Sequence, residues 1–419
     1  MEVKPGYKKT EVGVIPEDWE AVKFGEFVFY KKGFAFRSSD YTASGTRIVR
    51  VSDTNSSSIL DENAVYISDK SAGQFSAWRL KTDDLIFTTV GSKPPMYDSL
   101  VGKAILVHAK HSGALLNQNA VIIRNREHNY FTQRLLLNHF RMARYIRYIE
   151  QVFRGNANQA SITLKDLFDY SIPFPPTQAE QTAIATALSD VDALIESLEQ
   201  LIKKKRQIKQ GAMQELLTGK RRLPGFGNGK NAYKKTEVGV IPEDWQVQYL
   251  SKICNKITTG KLDANAMKPD GVYPFYTCAK ERYWIDEFAF DDEALLISGN
   301  GANVGYIHFY KGKFNAYQRT YVLTGFSSVI HFVKAFLERN LQERIKVEAN
   351  AGNTPYIVMG TLAEMQIALP PTKVEQTAIA NALSDMDSEI ESLETKLSKT
   401  RNLKQGMMQE LLTGRIRLV

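Results

Sequence analysis

The 419 residues are 43% hydrophobic and 24% charged, with a formal net charge of +8 and a pI near 9.1. This length holds two or three domains with cores of their own; no apolar run approaches the ~18–20 residues of a membrane span, and Cys254 and Cys278 are too few for a disulfide framework, which points to a reducing cytoplasm. The opening Met1-Glu2-Val3-Lys4-Pro5 has no apolar stretch ahead of a small-residue cleavage site, so no secretory signal is expected; the positive balance fits a polyanionic partner without specifying a fold.

The first element is YKKTEVGVIPEDW, Tyr7 to Trp19, with Trp19 expected as a core anchor rather than a base-stacking platform. Short β-rich runs with glycine turns follow: Asp84–Gly91, Val101–Ala104 and Asn117–Ile123. A helical stretch is expected over Phe131–Gln151, then a polar loop at Arg154–Gln159. Pro175-Pro176 precede Thr177-Gln178-Ala179-Glu180, a capping box in which hydroxyl and carboxylate each satisfy a free backbone N–H. The apolar spacing then alternates four and three through Ile184, Leu188, Val191, Ile195, Leu198 and Ile202, a heptad seam for side-by-side helices. Leu194 and Leu201 widen that stripe, and Gly219 fits a left-handed C-terminal cap. The basic run Lys203–Lys209 and Lys220-Arg221-Arg222 reads either as a solvated face complementing the helix dipole or as a phosphate contact. Pro224–Lys230 is glycine-rich and suits a linker.

The chain is then written again. Tyr233 to Trp245 repeats the thirteen-residue motif without a change. Glu180–Asp192 returns as Glu375–Asp387, differing only at Thr186/Asn381 and Val191/Met386, and Lys209–Gly219 returns as Lys404–Gly414. The motif recurs after 226 residues and the helix blocks after 195, so the intervening segments differ in length by 31. Weaker echoes survive inside them, Ala294–Gly301, Val304–Ile307 and Tyr317–Leu323, followed by a helical stretch at Val329–Val347. The second helix starts at Pro370-Pro371-Thr372, carries the seam Ile379, Leu383, Met386, Ile390, Leu393, Leu397, and stops at Gly414. Duplication with even drift would spread changes uniformly; an almost unaltered frame around divergent inserts is the pattern of two readers on one scaffold.

The fold class this predicts is α+β: two mixed α/β domains separated by two long antiparallel coiled-coil helices, a pseudo-twofold internal repeat. The partition is 1–175 first reader, 176–219 first helix, 220–232 linker, 233–369 second reader and 370–419 second helix. Polar side chains gather at the readers' turns. Ser92, Lys93, Asn117, Gln118, Asn119, Asn156, Asn158 and Gln159 are the candidate DNA contacts of the first. Lys261, Asn300, Asn303, Gln318, Arg319 and Asn353 are those of the second. Asn, Gln and Arg make paired hydrogen bonds to adenine and guanine edges, although Asn and Gly also occupy turns for backbone reasons.

Catalytic constellations are missing: no phosphate loop, no dinucleotide turn, no Asn-Pro-Pro-Tyr, and no zinc spacing among two Cys and six His. Asp291-Asp292-Glu293 is expected as a solvated hairpin tip rather than a metal cluster. No catalytic residue and no metal site is therefore assigned.

The motif Ile15-Pro16-Glu17-Asp18-Trp19, the Ile-Pro-x-Pro-Pro before the first helix (Ile367-Ala368-Leu369-Pro370-Pro371 departs from it in the second), Glu-Gln-x-x-Ile-Ala and Gln-Glu-Leu-Leu-Thr-Gly resemble the specificity subunits of Type I restriction–modification enzymes. The resemblance spans nearly the whole chain. It implies two target-recognition domains reading the halves of a split double-stranded DNA site, and a helix pair that acts as a ruler and docks two modification subunits. It further implies that S-adenosylmethionine, ATP and magnesium belong to those methyltransferase subunits and to separate restriction subunits, with no cofactor and no membrane for this chain. The alternative from another class is a coiled-coil adaptor linking two non-DNA ligand-binding domains, which would lack salt-dependent duplex binding.

Overall fold

The computed structural model describes residues 3–55, 58–93, 95–127, 129–156, 159–227, 232–348 and 356–418, with the side chains of Asn156, Gln159 and Glu348 not described. It divides into two compact units, Met1–Ser197 with Lys396–Val419, and Leu198–Thr395. Each unit therefore holds one reader with a part of each long helix, and these units cut across the partition drawn from the sequence.

In the first unit the motif forms a hairpin, Tyr7–Thr10 against Gly13–Pro16. The next strand, Glu20–Lys23, pairs antiparallel with Ser171–Phe174, the strand just before Pro175. The reader is thus an insert between two neighbouring strands. Its main sheet is antiparallel, in the order Val28–Lys32, Ala120–Asn125, Leu85–Thr88, Ala104–Leu106. Alternate residues serve opposite faces: Leu85, Phe87, Val121 and Ile123 join Leu136, Phe140 and Tyr145 in one cluster, while Ile86, Ile105 and Ile122 join Val49 and Leu116 in another. Two covered faces explain the unbroken apolar runs.

The expected helix over Phe131–Gln151 is two, Tyr130–Phe140 and Ala143–Val152, broken where Met142 is extended. The second helix is thereby aimed so that the Tyr145 hydroxyl donates to the Gly102 carbonyl at 2.6 Å. On the first, His139 is fully buried and its Nε2 has no hydrogen-bond partner among the described residues. Burial, with Arg144 adding to it, pushes its pKa down to about 3. A neutral histidine held in the folded state contributes stability above its unfolded pKa of ~6.5, and that contribution drains as pH falls toward the folded value. Acidification from pH 6.5 to 4 should therefore destabilise the first unit by up to about 1.4 kcal/mol per pH unit, and His139→Gln should flatten the slope. Denaturant titrations at each pH measure both; equal slopes would show that His139 does not titrate with folding.

The second unit repeats the plan. Tyr233–Thr236 pairs with Gly239–Pro242, and Gln246–Tyr249 pairs with Gln366–Leu369. Its six-stranded sheet runs Cys254–Thr259, Thr320–Phe326, Phe290–Ser298, Ile307–Ala316, Tyr273–Tyr276, Tyr283–Ile285. Leu295, Ile297 and Leu323 pack against the Ile330–Glu348 helix; Ala294, Leu296 and Val322 face Tyr276 and Phe314. Asp291-Asp292-Glu293 is not a hairpin tip. These residues lie in the first half of the long Phe290–Ser298 strand, where Asp291 and Glu293 stand opposite Lys313 and Lys311 in the register with the Ile307–Ala316 strand.

The first long helix is Gln178–Leu216 and the second Lys373–Leu411, 39 residues each, or about 58 Å at 1.5 Å per residue. The twelve seam residues are all buried or half-buried, whereas Leu194 and Leu201 are exposed. In the first unit Lys404 bonds Asp192 at 2.6 Å and Arg417 reaches Glu180. In the second, Lys209 meets Asp387 and Arg222 meets Glu375. Within each unit one helix number rises as the other falls, so the paired stretches are antiparallel.

Each capping box is half formed. The Thr177 and Thr372 hydroxyls accept the N–H of Glu180 and Glu375 at 3.2 and 3.3 Å, but both carboxylates are turned away. Glu180 is fully buried, accepting the Trp19 indole N–H at 3.2 Å and hydrogen bonds from Arg417, which also grips Asp18 at 3.0 Å. Glu375 accepts two bonds from Arg222, at 2.8 and 2.6 Å, and Arg222 also bonds Asp244. Burial opposes the charge on Arg222, yet the two carboxylates outweigh it and hold the guanidinium above its ordinary pKa.

Gly219 and Gly414 close the arrangement. Both have positive φ, +66° and +70°. A Cβ on Gly219 would sit 2.5 Å from Pro242, and one on Gly414 would sit 2.5 Å from Pro16. Each thirteen-residue motif is therefore a seat for the end of a long helix, with fully buried Trp19 and Trp245 as its floor. The basic run is mostly committed in the same way. Lys205, Arg206 and Lys209 pair with Glu389, Glu394 and Asp387, and Arg221 pairs with Glu215. Only Lys203, Lys204 and Lys220 stay exposed without an ion pair among the described residues. The phosphate-contact reading of the helix end loses its main cations.

Candidate nucleic-acid interface

In both readers one tight turn connects the ends of several strands. In the first it is Asn117-Gln118-Asn119. The Asn117 N–H donates to the Val49 carbonyl at 2.9 Å, the Gln118 N–H to the Phe34 carbonyl at 2.9 Å, and the Asn119 carbonyl accepts the Thr89 N–H at 2.9 Å. In the second it is Tyr317-Gln318-Arg319, and the same three bonds recur: Tyr317 to Tyr276 at 2.9 Å, Gln318 to Leu262 at 2.8 Å, and Gly299 to Arg319 at 2.9 Å. Close approach requires glycine before each: a Cβ on Gly33 would meet the Asn117 carbonyl oxygen at 1.8 Å, and one on Gly260 the Ala316 carbonyl oxygen at 1.9 Å. These backbone bonds fix each turn to the frame, and the Gln118, Asn119, Gln318 and Arg319 side chains are exposed. Asn119 also has φ +69°, a left-handed conformation that asparagine tolerates. A rigid turn presenting free amides and a guanidinium is suited to paired hydrogen bonds with a planar polar edge.

The other candidates divide. Lys93 and Lys261 are exposed, and Lys261 adjoins Leu262, whose carbonyl holds the Gln318 turn. The side-chain Oδ1 of Asn117 accepts the Gln118 N–H at 2.7 Å, so Asn117 shapes the turn. Ser92 is buried and accepts from the Ser99 hydroxyl at 2.9 Å, which removes it from the surface. Asn300 is half-buried, bridged to Tyr356, and Asn303 donates to the Cys278 carbonyl at 3.1 Å. Asn156 and Gln159 face each other across a strand pair, though their side chains, and the whole of Asn158 and Asn353, lie outside the described residues.

Sequence reasoning missed the segment that follows the Thr46–Val49 strand. Arg50 folds back onto buried Asp53 at 2.7 Å, and the Asp53 carboxylate raises the Arg50 pKa. Lys103, itself buried, donates to the Thr54 carbonyl at 2.8 Å and to that of Asp98. Burial pushes its pKa down to about 8. A buried lysine thus ties the Thr54 and Asp98 segments together. Among the described residues no three His, Cys, Asp or Glu side chains gather as a metal site, and no helix is long and apolar enough to cross a membrane.

Comparison with known proteins adds the following. The Type I restriction modification DNA specificity domain matches residues 16–210 and again 242–400. The chain is 38% identical over 175 residues to the Type I restriction enzyme EcoDI specificity subunit of Escherichia coli, covering 42% of this chain and 38% of that one. It is 25% identical over 447 residues to the Type I restriction enzyme MjaVIII specificity subunit of Methanocaldococcus jannaschii, covering 96% and 94%. In fold it is similar to the crystal structure of a Type I restriction–modification S subunit from M. genitalium, with a TM-score of 0.65 at 16% identity over 98% of both chains.

Proposed function

Because the chain belongs to the Type I restriction–modification DNA specificity family, as the non-catalytic subunit that recognises DNA for methyltransferase and restriction partners, we propose that its two readers each recognise one half of a bipartite duplex through the Gln118 and Gln318 turns. The observation that carries this is the identical three-bond framing of the two turns around side chains that differ, Asn119 against Arg319. Equal geometry with unequal contents gives two addresses from one construction. Gln118, Asn119, Gln318 and Arg319 are the base-reading candidates, with the exposed Lys93 and Lys261 as backbone contacts.

The finer architecture belongs to the same proposal. The 176–219 and 370–419 helices form an antiparallel coiled coil about a pseudo-twofold axis, with readers at 1–175 and 233–369 and a linker at 220–232. The pair spaces the half-sites and docks two modification subunits, which bring S-adenosylmethionine; ATP and magnesium act on the restriction subunits. Supporting this are the buried heptad seams and the antiparallel ion pairs within each unit.

A transplant tests modularity. Replacing residues 24–170 with the matching insert of another specificity subunit keeps the Glu20–Lys23 and Ser171–Phe174 strand pair intact. Mapping methylated adenines genome-wide should show one half of the recognised sequence changed and the other retained. A change in both halves would show that the readers are not independent; an adaptor for non-DNA ligands would direct no sequence-specific methylation at all.

A further inference from the structure

The two readers differ in the connection between two paired strands. Between the strands Thr46–Val49 and Val65–Ile67 the first reader has fifteen residues, whereas between Tyr273–Tyr276 and Tyr283–Ile285 the second has six, Thr277–Arg282. This short loop is fastened to the reading surface at three points. Asn303 donates to the Cys278 carbonyl at 3.1 Å, the Cys278 thiol donates to the Arg319 carbonyl at 3.4 Å, and Nε2 of His308 lies 3.0 Å from the Ala279 carbonyl oxygen. The exposed residues it then presents are Lys280, Glu281 and Arg282.

Neither cation is matched by a carboxylate among the described residues. Lys205, Lys209, Arg222 and Arg417 all have carboxylate partners; among the described residues Lys280 and Arg282 have none. Each rests on an aromatic ring instead, Lys280 5.8 Å from the centre of Tyr306 and Arg282 4.9 Å from that of Trp284. The Arg282 guanidinium also adjoins the Tyr276 hydroxyl; burial raises that phenol's pKa, and Arg282 offsets part of the rise. Cations propped on rings and left unpaired beside Arg319 are preorganised for an external anion.

We propose that Thr277–Arg282 is a phosphate clamp belonging to the second reader: Lys280 and Arg282 each engage one backbone phosphate and set the register in which Gln318 and Arg319 meet the bases. The inference rests on the DNA-reading assignment above. A lysine is a point charge and the Arg282 fork is partly occupied by Tyr276, so both suit phosphate oxygens better than a paired contact to a base edge.

The test measures duplex affinity against salt for the full chain assembled with its modification subunits. Probes are a duplex bearing the methylation-mapped site and one with its second half scrambled. Neutralising two phosphate contacts should lower the slope of log K against log salt by about 0.9 each. Lys280→Gln/Arg282→Gln should therefore lose about 1.8 from the slope and weaken both duplexes alike, by roughly tenfold. Lys280→Gln alone, which leaves Arg282 against Tyr276 and Trp284, should lose about 0.9. Arg282→Lys should keep the slope, and Glu281→Gln should tighten binding by removing the intervening negative charge. Gln318→Ala serves as contrast, relaxing preference at one base position by roughly 5- to 150-fold with the slope retained. An unchanged slope in the double variant and in Lys280→Gln overturns the clamp, as does a loss confined to one base position. A wild-type complex with neither site preference nor salt dependence overturns the DNA-reading assignment and the clamp with it.

Discussion

Arg222→Ala is expected to destabilise the second unit by about 3 kcal/mol, because removing one partner of a buried pair strands the other charge. Glu375 is the charge left behind: its side chain is 1% exposed, against 16% for Arg222. At roughly 2–4 °C per kcal/mol for a unit of this size, the melting transition should fall by about 6–12 °C. The companion Asp244 is half open to water and contributes little to the loss. Because the penalty comes from the orphaned carboxylate and not from lost attraction, Arg222→Met/Glu375→Gln should recover most of the stability. Arg206→Ala supplies the contrast. Its pair with Glu394 is 64% and 43% exposed, and such pairs give at most about 1 kcal/mol. Calorimetry on the three variants decides it. If Arg222→Ala melts no earlier than Arg206→Ala, the repeated buried ion pair holds nothing together.

The second large effect concerns length. Seven residues added to each long helix, after Leu198 and after Leu393, preserve the heptad face and extend each helix by ~10 Å. If helix length sets the spacing at which the half-sites are read, the spacer should grow by ~3 base pairs at 3.4 Å each. The added bases also turn the duplex by ~100°, since one turn takes ~10–10.5 base pairs. The bases within each half-site should not change, because the Gln118 and Gln318 turns are framed only by their own sheets. Methylation mapping in cells carrying the lengthened chain gives the spacer directly. An active variant with the original spacer would mean that the helices dock partners without measuring DNA.

How much of this was legible in the sequence depended on the range of each interaction. The two long helices, the positive-φ caps at Gly219 and Gly414 and the buried Trp19 and Trp245 follow from local patterns, and the structure has all of them. The faint echoes around Leu85 and Leu295 proved to be strands with matching partners, Ile86 opposite Ile122 and Leu296 opposite Val322. Partner choice at long range was not legible. Nothing near Lys203–Lys209 indicates that its cations meet carboxylates almost two hundred residues away, so a structural zipper resembled a phosphate surface. The capping boxes failed for the same reason: a distant arginine competes for each glutamate more strongly than the local N–H. One signal was available. Arg222 and Arg417 stand 195 residues apart, the spacing that also separates Glu180 from Glu375, and a cation and an anion repeated together indicate a pair. Lys280 and Arg282 gave no such signal, because their loop has no counterpart of equal length. Among the candidate DNA contacts, residue type could not show that Gln118 and Gln318 would be exposed and Ser92 buried.

The seat at Pro16 and Trp19 has a consequence for how the molecule is made. It receives Gly414, and the cluster of Val12, Ile15, Trp19, Ile184 and Leu188 is completed by Met408, Leu411 and Leu412. A ribosome adding about 5–20 residues per second delivers residue 396 roughly 10–40 s after residue 197. Throughout that interval the nascent first unit presents an open apolar slot, with Glu180 lacking Arg417. The second unit draws on residues 198–395 alone and needs no such wait. The reader translated first is therefore the last to be sealed.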